Sequence, residues 1–331
     1  MGMLRRIHSQ EGFTPSELIR IATDQALGVT LVTPPSGLVE TPLFSGRLVS
    51  QEVQPGLRAA ADDITYLTSE SIQSEAEPAV MCGVLLEGGP ETMDVFGYGP
   101  ITRHAERPAL FGFRERTRFQ LTGMMSHRSR ASGFVIKPVF FERFGENIRS
   151  DGLAALRDFA HGDFRFESLP RSPKVVDIAR RNLEHPYGDQ LGELFLESNT
   201  LSFVIEIAEL LAHERRMVTA IGKRHYHRVM EARDILDANL VAPPKILDLT
   251  KLVGVNLTTL QANFKIVFGT TIFGYVRMQR LEMARVLLRE HHLTVAEAGY
   301  RVGFVSPSAF TAAYRRHFGH TPGHDIPRNG T

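Results

Sequence analysis

The stretch YRVGFVSPSAFTAAYRRHFGHTP, Tyr300 to Pro322, decides the reading of this chain, because LVGVNLTTLQANFKIVFGTTI, Leu252 to Ile272, repeats its spacing. Val253-Gly254 matches Val302-Gly303, Leu260 matches Phe310, Phe264 matches Tyr314, and Phe268-Gly269 matches Phe318-Gly319. Thr271 matches Thr321, and the second copy has one extra residue in its turn. A unit written twice at a fixed interval is a structural repeat.

Each copy has the anatomy of a helix-turn-helix. In the first, prolines precede a helix whose Ile246, Leu249, Leu252 and Val253 form an apolar face, and Gly254 permits a tight turn. Asn256 is placed to cap the next helix, whose Leu260, Phe264 and Val267 face inward. In the second, TVAEAGYRVG supplies the first helix and Gly303 the turn, with Ser306 as cap and Phe310, Tyr314 and Phe318 directed to a core. Between them IFGYVRMQRLEMARVLLRE reads as one long helix, with Tyr275, Met278, Leu281, Ala284 and Leu288 on one side. A rod of this kind holds two units at fixed separation, and major-groove faces recur every ~34 Å along B-DNA. The outward positions of the first recognition helix are Thr258, Thr259, Gln261, Ala262 and Lys265. Those of the second are Ser308, Thr311, Ala312, Arg315 and Arg316. Hydroxyls and the amide suit base edges, whereas the lysine and arginines suit phosphates.

Charge divides the chain in the same sense. Residues 222–331 carry a net +7 with seven of the 13 histidines, and residues 1–221 a net −6, so the overall +1 conceals a basic third that fits a polyanion. With 331 residues, 43% hydrophobic and 23% charged, the composition predicts two globular domains. The single cysteine, Cys82, excludes an internal disulfide and a Cys-rich zinc site. The start MGMLRRIHSQEGFTP has no apolar run of the kind a secretory leader needs, and TLSFVIEIAELLAH is too short to span a bilayer. The expectation is a cytoplasmic protein without a membrane partner.

From about Leu38 to Pro138 short alternating runs with Gly and Pro punctuation predict an antiparallel sandwich or barrel, preceded by a helix around Ser16–Ala26. RPALFGFRERTRFQLTG reads as a long period-two run, and SRASGFVIKPVF as a strand stopped at Pro138. After Phe140 the spacing becomes helical, through FFERFGENI, DGLAALRDFA, SPKVVDIARRNLEHPYG and DQLGELFLESNTLSFVIEIAELLAHE. The class is therefore α+β: a β-rich, cupin-like barrel or sandwich to about residue 140, helical additions to 221, then an all-α double helix-turn-helix over 222–331. In one extended strand Arg114, Arg116 and Arg118 share a face, which makes them candidates for an anionic effector; the alternative is a solvated outer face. The β-rich region offers only His104 and His127 and no His-x-His pair, so neither a cupin metal site nor any cofactor is expected. With no Gly-rich phosphate loop and no Gly-x-Ser-x-Gly elbow, no catalytic residue is assigned.

Across roughly Arg224 to Pro322, RLEMARVLL, VGFVSPSAFTAAYRRHFGHTP and the glycine-anchored first unit resemble the AraC/XylS family of bacterial transcription regulators. The resemblance implies a seven-helix double helix-turn-helix domain on promoter DNA. Ala262 and Ala312 stand where family members often place arginine, so base reading is expected to be sparser. NFKIVFGTTIFGYVRMQRLEMA and HPYGDQLGELFLESNTLSF further resemble the pyochelin-regulator branch, whose members sense ferric siderophores. Members of that branch activate siderophore genes, which implies a small effector such as a ferric siderophore at residues 1–221; a homodimer and RNA polymerase are the further partners expected, and activator versus repressor stays open. Two other readings remain open: a DNA-binding protein governed by a protein partner, and a cupin-type enzyme fused to a DNA-binding domain.

Overall fold

Of the 331 residues, the computed structural model describes 7–24, 28–32, 41–145, 148, 151–290 and 293–326. Their contacts separate into two units, Met1–His213 and Glu214–Thr331. The strands of the first are β1 (Ile7–Phe13), β2 (Val29–Leu31), β3 (Phe44–Gln54), β4 (Leu57–Tyr66), β5 (Ser71–Ala76) and β6 (Ala79–Glu87). β7 (Glu91–Val95), β8 (Gly99–Arg103), β9 (Pro108–Phe113), β10 (Thr117–Thr122), β11 (Arg128–Ile136) and β12 (Arg165–Ser168) follow. Its helices are α1 (Pro15–Asp24), α2 (Val139–Glu142), α3 (Asp151–His161), α4 (Pro173–Glu184) and α5 (Asp189–Ile221), the last entering the second unit.

Two antiparallel sheets result, one in the order β1-β3-β4-β11-β6-β9-β12 and the other β2-β5-β10-β7-β8. Alternation along β6 shows why the larger sheet is covered on both sides. Val80, Cys82 and Val84 pack with Phe159 of α3, Val175 of α4 and Phe203 of α5. The residues between them turn the other way, and Ala79 joins Phe113, Val95 and Phe119 against the smaller sheet. Burial pushes the Cys82 thiol well above its ordinary range, so it behaves as a small core hydrophobe.

Two expectations need revision. The run from Arg107 to Gly123 is two strands: β9 pairs with β6 and β12 in one sheet, β10 with β5 and β7 in the other. Arg114–Arg116 form the exposed turn that carries the chain between sheets, so Arg114, Arg116 and Arg118 do not share one strand face. The short strand β12 went unread because RFES lacks alternation, and it pairs with β9. The segment from Asp189 is a single 33-residue helix, since nothing after Gly192 interrupts it before Gly222 at φ 81°. The predicted helix near Ser16 is α1, set by a Thr14–Glu17 capping box; its expected end at Ala26 lies outside the described residues.

The second unit contains α6 (Lys223–Ala238), α7 (Ile246–Val253), α8 (Leu257–Phe268), α9 (Ile272–Glu290), α10 (Val295–Arg301) and α11 (Pro307–Phe318). It has two cores. Tyr226, Val229, Leu249, Val253, Leu260 and Phe264 build the first, and Ala298, Val302, Phe310 and Tyr314 the second. Helix α9 serves both, giving Ile272, Tyr275 and Val276 to one and Leu281, Ala284 and Leu288 to the other. Leu252, expected on the buried face of α7, is 60% exposed: the core contact follows the i, i+4 pair Leu249–Val253, and Leu252 lies about 100° round from Val253. Phe318 is only half-buried at the edge of the second core.

One side chain fastens the two halves. From the middle of α9, Arg280 donates from Nε to the carbonyl of Leu240 at 2.7 Å, and from Nη2 to Val241 at 3.0 Å, both in the connection before α7. Its Nη1 donates to the carbonyl of Gly303, the turn of the second motif, at 3.0 Å. Gly303 sits at φ 89°, and a Cβ there would come 3.0 Å from the Val241 oxygen and 3.1 Å from the guanidinium carbon. Burial lowers the Arg280 pKa from its usual value, yet a guanidinium stays charged in a protein. Arg280→Met should therefore lower the stability of the full chain by ~1.5–3 kcal/mol in urea unfolding monitored by helix signal, because the charged donors are lost. Arg280→Lys should recover only part, since an ammonium cannot reproduce the fork. An Arg280→Met protein as stable as the parent would remove this joint from the account.

Candidate nucleic-acid interface

The two motifs place their second helices by local chemistry that the sequence announces. Gly254, at φ 64°, ends α7 in the left-handed conformation, and the Asn256 side chain accepts from the Thr259 amide at 2.9 Å to open α8. In the second copy Thr294 and Glu297 form a capping box that starts α10. Ser306 then accepts from the Ala309 amide at 3.2 Å, with Pro307 at the first position of α11. Both α8 and α11 end at left-handed glycines, Gly269 and Gly319.

With Leu260, Phe264 and Val267 turned into the core, α8 exposes Thr258, Gln261, Ala262 and Lys265, while Thr259 is half-buried at the cap. With Phe310 and Tyr314 inward, α11 exposes Ser308, Ala312, Arg315 and Arg316 and leaves Thr311 half-buried. Ser308 is not free to point anywhere, because its hydroxyl lies 3.2 Å from that of Ser306. Ala312 and Arg316 line a groove of about 540 Å³ that also takes in Phe273, Arg277, Arg280 and Val305. Val305 is 91% exposed just before α11.

Electrostatics separates this surface from the first unit. Among the described residues no ion pair engages Lys265, Arg277, Arg301, Arg315 or Arg316, all of which are exposed. Cations left without internal partners are available to phosphates. Arg277 and Arg301 were not singled out from the sequence; their signal is an outward position beside buried Val276 and Val302. Arg114, Arg116 and Arg118 are instead engaged with acids of their own unit. Arg114 approaches Asp163 at 3.4 Å, Arg116 approaches Glu75 at 3.6 Å, and Arg118 approaches the same Glu75 at 3.0 Å.

His320, His324 and Asp325 bring ligand-type atoms within 4.8 Å of one another. The Asp325 carboxylate already accepts from the Tyr314 hydroxyl at 2.6 Å and from Arg289, with Arg285 at 3.6 Å. Burial alone would raise the Asp325 pKa, but the bonds from Tyr314 and Arg289 and the two arginine charges hold it below its ordinary value. Two guanidiniums on one carboxylate neutralise the site and oppose a further cation. The arrangement pins the 3-10 turn Pro322–Asp325 to α9 and α11.

Two capped helices on a shared rod, with unpaired cations on the exposed side, define a helix-turn-helix DNA-binding protein. Comparison with known proteins agrees. The family model described as Regulatory protein PchR N-terminal domain matches residues 45–222, and one described as Helix-turn-helix domain matches residues 249–325. The chain belongs to the PchR family of AraC-type transcriptional regulators. Regulatory protein PchR of Pseudomonas aeruginosa is 35% identical over 136 residues, covering 40% of this chain and 46% of the relative. HTH-type transcriptional regulator ExsA of the same organism is 33% identical over 183 residues, covering 55% and 63%. The chain thus matches about half of the length of these curated relatives, which are regulators and not enzymes. A solved AraC-type transcriptional regulator from Chromobacterium violaceum is 32% identical over 30% of this chain and 88% of its own, with a TM-score of 0.29. Among the described residues no helix is long and apolar enough to cross a membrane.

Substitutions should separate reading from holding. Gln261→Ala should relax base preference at one or two positions by ~1–3 kcal/mol, whereas Lys265→Ala should weaken all sequences alike and reduce the salt slope by about one. Competition binding with randomised duplexes at several salt concentrations checks both, and a uniform loss from Gln261→Ala would contradict its assignment.

Proposed function

We propose that the chain controls transcription at promoters by placing α8 and α11 in successive major-groove faces, under the control of an effector held by the first unit. The observation that carries the DNA half is α9, which contributes to both helix-turn-helix cores and carries the Arg280 joint. Base edges are read by Thr258, Thr259 and Gln261 on α8 and by Ser308 and Thr311 on α11. Lys265, Arg315 and Arg316 hold phosphates, joined by Arg277 and Arg301. Ala262 and Ala312 can offer only apolar contact, as to a thymine methyl.

A ferric siderophore is the effector class supported by the PchR-family match and by the sequence resemblance to siderophore-responsive regulators. No cluster of thiolates or of histidines and carboxylates stands among the described residues of the first unit, so recognition of a chelate is the reading in place of bare iron. A ligand acts here by binding one state of the regulator better than another, altering pairing of two copies or presentation of the DNA-binding unit to RNA polymerase. The Arg114–Arg118 region carries little of this proposal, since those arginines are exposed and already ion-paired.

Genome-wide mapping of sites bound by the full chain, with and without iron starvation, tests the proposal. Bound promoters should flank iron-acquisition genes, respond to iron, and show protection over two adjacent turns. Bound promoters unrelated to iron supply and unchanged by starvation would end the siderophore assignment, and absence of any two-turn protection would end the double-reading mechanism.

A further inference from the structure

Between the two sheets of the first unit lies a group of polar side chains that neither DNA binding nor the ion pairs of the surface use. Asp62 on β4 lies in the same register as the inward-packed Ile64 and Tyr66, and it lines a cavity of about 200 Å³ together with Met81, Gly83, Phe111 and Arg103. Arg103, from the end of β8, gives its ion pair to Glu91 of β7 and not to Asp62. Glu91 is buried, and its other oxygen accepts from Ser129 at 2.5 Å. Arg103 is held over a floor of small residues: a Cβ added at Gly83 would lie 3.7 Å from its Nη1.

Two groups in this enclosure lack what their chemistry requires. The Nε of Arg103 is buried with no hydrogen-bond partner among the described residues. The Asp62 carboxyl accepts no hydrogen bond from them either, although it stands near a guanidinium and in a wall of β-structure. Counting the charged side chains gives two carboxylates, Asp62 and Glu91, against the one guanidinium of Arg103. An uncompensated carboxyl in such a place is costly unless something positive or strongly donating fills the gap. Asp62 shows that cost: burial, opposed by Arg103 and aided by Glu91 and Asp63, pushes its carboxyl up to about 7. Its surface is only half-buried because it borders the cavity.

We propose that this cavity is a binding site for a compact organic cation, whose positive head meets Asp62 and whose neighbouring oxygen accepts from Arg103 Nε. The volume is below the ~300–1,000 Å³ of sites for drug-sized ligands, so the occupant is about the size of one substituted six-membered ring. Met81 and Phe111 supply apolar walls for its body. A second cavity of about 500 Å³, lined by Tyr66, Glu91 and His127, adjoins the same Glu91. The site stands independently of the siderophore reading, since a ferric chelate is too large for it.

The titration has a defined sign. The cation needs the ionised carboxylate, so its affinity rises as pH passes upward through the Asp62 value. With that carboxyl at about 7, the ionised fraction increases about tenfold from pH 6 to pH 8. The charged and titratable groups that act on Asp62 are Arg103 from β8, Glu91 from β7, Tyr66 from the same face of its own strand, and Asp63 from the opposite face. His127, whose Nε2 accepts from the Gly89 amide at 3.1 Å, lies in the adjoining cavity.

The test is calorimetric titration of the full chain with 2-hydroxybenzylamine, which carries a cationic head beside an oxygen, compared with benzylamine and salicylate. Saturable binding of 2-hydroxybenzylamine is expected, several-fold tighter than benzylamine, with salicylate at least tenfold weaker. Binding should strengthen about tenfold from pH 6 to pH 8. Asp62→Asn should weaken it at least tenfold at pH 8 and remove the pH dependence. Ala60→Val, which fills the cavity without altering a charge, should also abolish binding, so the result does not rest on one variant. Equal or tighter binding of salicylate, or retention of affinity in folded Asp62→Asn and Ala60→Val proteins, would overturn the proposal. So would the absence of saturable binding by both amines. None of these outcomes bears on the promoter mapping that tests the regulator's effector.

Discussion

The DNA-binding unit depends on three hydrogen bonds from one guanidinium. Arg280 stands at the midpoint of α9, where the side chains stop serving the first core and begin serving the second. The two helical cores share this one helix, and the joint lies where they meet along it. By taking the carbonyls of Leu240 and Val241 on one side and of Gly303 on the other, Arg280 ties the entry to the first motif to the turn of the second. The requirement reaches into the backbone: Gly303 accommodates a left-handed φ and leaves room for the guanidinium and the Val241 oxygen. A fixed relation between α8 and α11 is what the proposed reading of two turns of DNA requires.

The charges outside that joint divide into two uses. In the first unit most described arginines are spent on neighbouring acids, as in the contacts of Arg128 and Arg130 with Asp63 and of Arg118 with Glu75. Such exposed pairs contribute little stability each. In the second unit, Arg289 and Arg285 converge on Asp325 to fix the 3-10 turn, while among the described residues Lys265, Arg277, Arg301, Arg315 and Arg316 carry no ion pair. A chain with a net charge of only +1 can therefore present a strongly cationic face.

Much of this was legible in the residues, for identifiable reasons. The second unit was readable because helix caps and left-handed glycines are local signals: Asn256, Ser306, Gly254 and Gly303 each perform the role that their residue type requires. Leu252 misled because an apolar residue one position from the buried stripe looks the same in sequence whether it faces core or solvent. The arginines at 114, 116 and 118 misled for a different reason. Period-two spacing persists through a turn, and nothing local marks Arg114–Arg116 as the place where the chain leaves one sheet for the other. Arg280, the joint itself, was invisible, because its acceptors are carbonyls 23 to 40 residues away and carbonyls carry no sequence signal. Asp62 and Arg103 were unreadable likewise, since only the pairing of the strands brings β4 and β8 to one cavity.

The central claim is that two recognition helices act as one rigid reader, and helical phase tests it most directly. On a promoter site bound by the full chain, insertion of about half a helical turn (~5 bp) between the two protected segments rotates one segment to the opposite side of the duplex. The account predicts that affinity falls to that of a single segment and that footprinting shows protection of only one of the two. Full affinity with both segments protected after the insertion would contradict it, because a joint held by Arg280 cannot follow a half-turn of phase.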